Sequence, residues 1–177
     1  MTLGELLLEH RHAIVQAWLD DVLATYSEDA CKVFKKQKDP FANPVGHALR
    51  VATREIFEAL LDEAEPSRIR EVLHPVIKIR AVQEFSASQA VGFIFRLKEA
   101  IRTTLGKAMA EPRLASEWAK IEGQIDQVAL AAFDVFVECR QQLYELRVNE
   151  VKRNVSWVME KMSQRDSDSG LTRADTG

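Results

Sequence analysis

Apolar residues recur every three or four positions along most of the chain, which is the spacing of a buried face on an α-helix. After Thr2, a good N-cap, the first stripe runs to about Tyr26. Its members are Leu3, Leu6, Leu7, His10, Ile14, Ala17, Trp18 and Val22. We therefore predict a first helix from Thr2 to about Tyr26, and an all-α fold for the chain as a whole.

A short loop separates this region from the next helix. Residues 39–47 read DPFANPVGH, in which each residue before a proline is restricted to extended backbone. Asn43 is expected to cap the following helix, with Pro44 as its first residue. Phe41 is expected to pack the loop onto the core. Because its side chain could also contact a ligand, Asn43 is a first binding candidate.

The segment from residue 66 to residue 83 is apolar nearly all round and is predicted to be strongly buried. Proline removes a helical hydrogen bond, so we expect a break or kink at His74–Pro75. Arg80 and Gln83 lie in this segment and need hydrogen-bonding partners if they are buried. They either tie the helix end to neighbouring backbone or face a ligand or partner, and the sequence leaves both interpretations open.

A second helix signal follows directly. Ser86 and Gln89 have the spacing of a capping box, in which each side chain bonds the other residue's backbone N–H. The apolar residues behind them keep helical spacing, so we predict a helix from Ser86 to about Ala110. They are Ala90, Phe93, Ile94, Leu97, Ile101 and Leu105.

The last part of the chain predicts one long helix. From Arg113 to Met162 there is no proline, and Gly123 is the only glycine. In its second half the apolar residues alternate in steps of four and three, as in a coiled coil. They are Tyr144, Val148, Val151, Val155, Val158 and Met162, called the seam below. We favour burial of the seam against a second copy of the chain. The alternative is that the seam packs back on its own domain.

These observations predict one domain at residues 1–163 and a disordered tail at residues 164–177, where the sequence is polar and rich in Gly, Ser and Asp. The net charge of −3 is spread along the chain, which argues against nucleic-acid binding. No apolar run approaches the roughly 20 residues that span a bilayer, so no membrane partner is expected. Cys31 and Cys139 lack a zinc or disulfide spacing and fit a reducing cytoplasm.

Two motifs carry a family resemblance. DPFANPVGHAL at residues 39–49 and IRAVQEFSASQAVGFIFRLK at residues 79–98 resemble the RsbRD N-terminal domain family. These are sensor domains of RsbR-like co-antagonists of the RsbT kinase in bacterial stressosomes. The resemblance implies a globin-like fold without haem, dimerisation, and a long terminal helix that passes a signal to an output domain. Ala87 replaces the proline usual in the family's F-S-P-S-Q-A, and we expect the corner to survive this change.

We expect a stand-alone regulatory sensor that binds a small ligand or a signalling protein and relays the signal through a dimeric C-terminal helix. RsbR-like relatives continue into a STAS output domain, whereas this sequence ends in a polar tail. The ligand-binding candidates are Arg80, Gln83, Asn43 and His74. No acid–base pair, activated nucleophile or metal-ligand spacing is visible, so we expect no catalytic residue, no metal and no enzyme activity.

The alternative is a haem-binding sensor of the globin type. In a globin, the iron-binding histidine lies on the helix before the one that begins here at Ser86. Among the histidines at positions 10, 12, 47 and 74, His74 therefore becomes the candidate iron ligand.

Overall fold

The computed structural model describes residues 1–83 and 85–171, and these residues form an all-α protein without a β-strand. The fold class and the long C-terminal helix are thus confirmed. The α-helices are α1 (Leu3–Glu9), α2 (Arg11–Leu23), α3 (Glu28–Lys36), α4 (Pro44–Leu61), α5 (Pro66–Val82), α6 (Ala87–Val91), α7 (Arg96–Leu105) and α8 (Ala115–Leu171). Two short 3-10 helices, Gly106–Ala110 and Pro112–Leu114, connect α7 to α8.

The chain divides into two compact units, Met1–Cys139 and Arg140–Gly177, and α8 contributes residues to both. In the first unit, α2 packs against α4 and α7, while α5 packs against α4 and α6. The apolar stripes predicted from the sequence form this core. Its largest fully buried side chains are Leu3, Leu7, Ile14, Trp18, Leu23, Leu49, Ile56, Leu73, Ile77, Ile94, Leu97 and Ile101.

The helix starts follow the predicted caps. The side chains of Thr2, Asn43 and Ser86 each accept a backbone N–H from the first turn of their helix, and Pro44 is the first residue of α4. Thr2 and Ser86 form complete capping boxes. A cap of this kind contributes about 1 kcal/mol to helix stability. The corner at Ser86 therefore forms with alanine at position 87.

Two predicted helices are each divided. The first ends at Glu9 and restarts at Arg11. The start of α1 is bonded to α8, since the Leu3 N–H donates to the Glu117 carboxylate at 2.7 Å. The helix predicted from Ser86 stops at Val91 and restarts at Arg96. In both cases apolar periodicity continued across the interruption, so the sequence pattern did not reveal it.

Neither a helix break at Pro75 nor packing of Phe41 on the core is found. The helix α5 continues through Pro75, where the flanking residues Val72, Leu73, Val76 and Ile77 are all buried. Phe41 is 95% exposed and does not pack on the core. Its N–H instead donates to the Asp39 carboxylate at 3.0 Å, which shapes the loop locally.

The last helix is longer than predicted. It spans 57 residues, from Ala115 to Leu171, and so includes residues 164–171 of the segment expected to be disordered. Residues 172–177 of that segment lie outside the described residues. Among the described residues, no helix combines the length and the apolar character needed to cross a membrane.

Candidate functional site

The most unusual side chain of the first unit is Arg80, in the last turn of α5. It is only 2% exposed. Its Nη1 donates to the carbonyl of Gln89 at 3.0 Å, while its Nε and Nη2 are buried without a hydrogen-bond partner. Within residues 1–83 and 85–165, whose side chains the structure describes, no carboxylate forms an ion pair with it. A buried guanidinium left in this state is costly, which marks the position for function.

Three aromatic rings surround the Arg80 guanidinium and are called the aromatic cage here. The distance from Cζ to the ring centroid is 4.7 Å for Phe93, 5.2 Å for Phe85 and 5.6 Å for Tyr26. Cation–π contacts of this kind contribute about 0.5–2 kcal/mol each, and so offset part of the burial cost. The Tyr26 hydroxyl is itself buried, and the Tyr26 side chain helps to keep the guanidinium charged. The cage therefore holds the charge but leaves several donors unused.

The corner between α5 and α7 positions the cage. The capping box of Ser86 starts α6, whose Gln89 carbonyl contacts Arg80. A Cβ at Gly92 would lie 2.7 Å from the Ser88 carbonyl oxygen, so glycine permits the turn that carries Phe93. Trp18 of α2 then fixes Phe93, because its Nε1 donates to the Phe93 carbonyl at 2.7 Å and the two rings stack.

Burial also sets the electrostatics of this cluster. It lowers the pKa of the Arg80 guanidinium, an effect that Tyr26 opposes and the like charge of Arg96 reinforces. Burial raises the pKa of the Tyr26 phenol, and the positive charge of Arg80 acts against it. At neutral pH the cluster thus presents a cation and a neutral hydroxyl, both of which are hydrogen-bond donors.

Asn43 is buried like Arg80, but its side chain is fully used. Its Oδ1 accepts from the Gly46 N–H at 2.8 Å, and its Nδ2 donates to the carbonyls of Phe34 and Gln37 at 3.1 and 2.8 Å. These bonds join the end of α3 to the start of α4. Asn43 is therefore an architectural residue, and it reaches the cage only indirectly, through the contact between the rings of Phe34 and Tyr26.

The other two candidates are exposed. Gln83 is the C-cap of α5 and lies at the surface, contrary to the burial expected for its segment. His74 is also exposed, on the outer face of α5. The structure brings neither residue into the cluster around Arg80.

Sequence reasoning missed the aromatic residues of the site. Phe85 and Phe93 flank the Ser86 corner and could have been noticed as aromatic neighbours of a recognised motif. Tyr26 follows α2 and is far from Arg80 in the sequence, so no local pattern could have pointed to it. Trp18 and Phe93 were identified only as core residues.

The second unit presents a different feature. All six seam residues are between 47% and 61% exposed, although each is a large apolar or aromatic side chain. Val151, Val155 and Val158 also line a shallow groove with Asn154 and Met159. The seam residues, spaced alternately four and three positions apart, thus form an uncovered apolar stripe within this unit.

A family model matches most of the chain. The model of the family described as the RsbT co-antagonist protein rsbRD N-terminal domain matches residues 12–151. This is a stressosome-related family of regulatory sensor domains and not a known enzyme family. No curated protein and no solved structure matches the chain. In the part of the chain that the structure describes, no group of His, Cys, Asp or Glu side chains is arranged to hold a metal ion.

Proposed function

We propose that this chain, which belongs to the family of RsbT co-antagonist RsbRD N-terminal domains, senses a small ligand or a partner protein in its first unit and relays the signal through a dimer formed by its last helix. The exposed seam carries this proposal. A stripe of six large apolar side chains at heptad spacing is typical of a helix that pairs with another copy.

The energetics favour pairing. A single helix in water gains little from its own hydrogen bonds, so a segment of this length needs its apolar face covered. Fully burying a valine or methionine side chain contributes about 1.5–3 kcal/mol relative to leaving it exposed. Six half-exposed side chains on each copy supply enough apolar surface to offset part of the cost of association.

The sensing half of the proposal is supported by Arg80, whose charge is buried without a carboxylate partner in the described residues. The relay is supported by α8, which contributes to both units as one helix from Ala115 to Leu171. The output partner would be a signalling protein. We place the protein in the cytoplasm and without haem, in keeping with two free cysteines and an exposed His74.

The test introduces charge into the seam. The double variant Val151→Glu/Val155→Glu places two carboxylates per copy at the expected interface. Its matched control is Asn149→Glu/Ser156→Glu, which adds the same charge to exposed positions outside the seam. Light scattering coupled to size exclusion should give wild type and control twice the chain mass of 20.1 kDa, and the seam variant a single chain mass. A monomeric wild type, or a control that dissociates equally, would overturn the proposal.

A further inference from the structure

We infer that Arg80 is the binding site for an organic carboxylate, which pairs with the guanidinium inside the aromatic cage. The inference rests on the proposed function, because it names the ligand class that the first unit would sense. Among the polar groups of this unit, Arg80 combines near-complete burial with unused donors.

Arg80 lacks a counter-charge among the described residues. A guanidinium has five N–H groups, and Arg80 uses one of its nitrogens, Nη1, for the Gln89 carbonyl. Other arginines of the first unit pair with carboxylates at the surface, as Arg96 does with Asp21 at 2.7 Å and Arg70 with Glu138 at 2.8 Å. The residue that most needs an anion has none among the described residues.

The unpartnered edge of the Arg80 guanidinium has the shape that binds a carboxylate. The Nε and Nη2 of an arginine lie side by side and match the two oxygens of a carboxylate, giving two parallel hydrogen bonds. Both atoms are unpartnered in Arg80. The Tyr26 hydroxyl, on a ring 5.6 Å from the guanidinium carbon, is a third unused donor. These donors suffice for one carboxylate.

The surroundings of Arg80 favour a carboxylate over a phosphate. A phosphate dianion has more oxygens and a larger hydration cost than three donors can offset. The rings of Tyr26, Phe85 and Phe93 lie within 5.6 Å of the guanidinium carbon, and such apolar neighbours suit the hydrocarbon part of an organic acid. The chemistry therefore favours a monocarboxylate with a small hydrocarbon or aromatic group.

The structure also supplies a reporter. Trp18 is fully buried, stacks on Phe93 at 6.1 Å and donates to its carbonyl, so its fluorescence should respond to changes in the cage. Replacing the other tryptophans, as Trp118→Phe/Trp157→Phe, leaves Trp18 as the single emitter. The probes are sodium propionate and sodium benzoate, with sodium chloride and sodium phosphate at equal ionic strength as references.

We expect a saturable change in Trp18 emission with a carboxylate and a rise in Tm of about 5–10 °C at a hundredfold excess over Kd. Arg80→Met should abolish both responses and keep or raise the Tm without ligand, since an apolar isostere removes a buried unpaired charge. Arg70→Gln, which loses an exposed ion pair with Glu138, is the matched control and should respond like wild type. If Arg80→Met fails to fold, Arg80→Lys serves instead, with binding at least about tenfold weaker because an ammonium lacks the bidentate edge.

Three results would overturn the inference: no saturable response in wild type, an equal response in Arg80→Met, or an equal response to phosphate or chloride. Glu84, which lies outside the described residues, is the acidic residue nearest to Arg80 in sequence. If wild type does not respond to carboxylates and Glu84→Gln is less stable than wild type, the counter-charge of Arg80 would be assigned to the chain itself. A dimeric wild type without a carboxylate response refutes this site alone, while a responsive monomer refutes only the relay.

Discussion

Asn43 and Arg80 are equally buried polar residues with contrasting surroundings, and the contrast separates architecture from function. Each is 2% exposed. The amide of Asn43 has a partner for both its oxygen and its nitrogen, whereas two of the three guanidinium nitrogens of Arg80 have none. A satisfied buried group stabilises the fold, and an unsatisfied one costs stability until something binds it.

Asn43→Ala should therefore destabilise the protein by about 2–3 kcal/mol, because it removes the N-cap of α4 and both bonds to the end of α3. Asn43→Ser keeps an oxygen that can cap the helix but loses the two amide bonds, so about half of the loss is expected. Urea denaturation followed by circular dichroism measures both values. Equal losses in the two variants, or a loss in Asn43→Ala below about 0.5 kcal/mol, would contradict the architectural role.

His74 yields a prediction about haem. Its side chain is exposed on α5, so it should not coordinate iron in an enclosed pocket. Titration with hemin is expected to give the same absorption spectrum for wild type, His74→Ala and the exposed control His47→Ala. A sharp Soret band that disappears only in His74→Ala would establish the haem alternative and contradict our proposal.

At the scale of the element, substitution of two helical glycines distinguishes the effect of side-chain packing on stability from the effect of helix propensity. A Cβ at Gly46, in α4, would lie 2.3 Å from Nδ2 of Asn43, while a Cβ at Gly123, in α8, meets nothing within 4 Å. Gly46→Ala should destabilise by about 2 kcal/mol by displacing the cap. Gly123→Ala should stabilise by about 0.5–1 kcal/mol through helix propensity alone. Thermal unfolding of both variants checks the prediction, which fails if the two shifts share a sign.

The elements also show what local sequence can and cannot predict. The caps at Thr2, Asn43 and Ser86 depend on side chains within three residues of the backbone groups they bind, so the sequence revealed them. The helix α5 continues through Pro75 where its neighbours are buried, whereas local propensity predicted a break or a kink there. Helix starts in this chain depend on residues close in sequence, whereas helix interruptions depend on tertiary contacts.

The candidate site follows the same division. Arg80 was found from sequence because a charged residue in an apolar helix is conspicuous, and the seam was found from its spacing. The cage was not found, since Tyr26, Phe85 and Phe93 come from three separate parts of the chain and meet only in the fold. The exposure of Gln83 depends on where α5 ends, which sequence patterns place only to within a few residues.

At the scale of the whole molecule, a sensor has to couple ligand binding to dimerisation, and that coupling is reciprocal. If dimerisation strengthens propionate binding at each Arg80 by some factor, saturating propionate must strengthen the dimer by the square of that factor, because the dimer carries two sites. Coupling at one site typically amounts to 5–150-fold. We therefore expect propionate to lower the dimer dissociation constant of wild type, as measured by sedimentation velocity. The monomeric Val151→Glu/Val155→Glu protein should bind propionate more weakly by the square root of that change, as read from Trp18 fluorescence. Weaker dimerisation on ligand binding would reverse the direction of the signal but preserve this relation between the two changes. Equal propionate affinities in monomer and dimer would show that the cage and the seam act independently, and the relay through α8 would then be wrong.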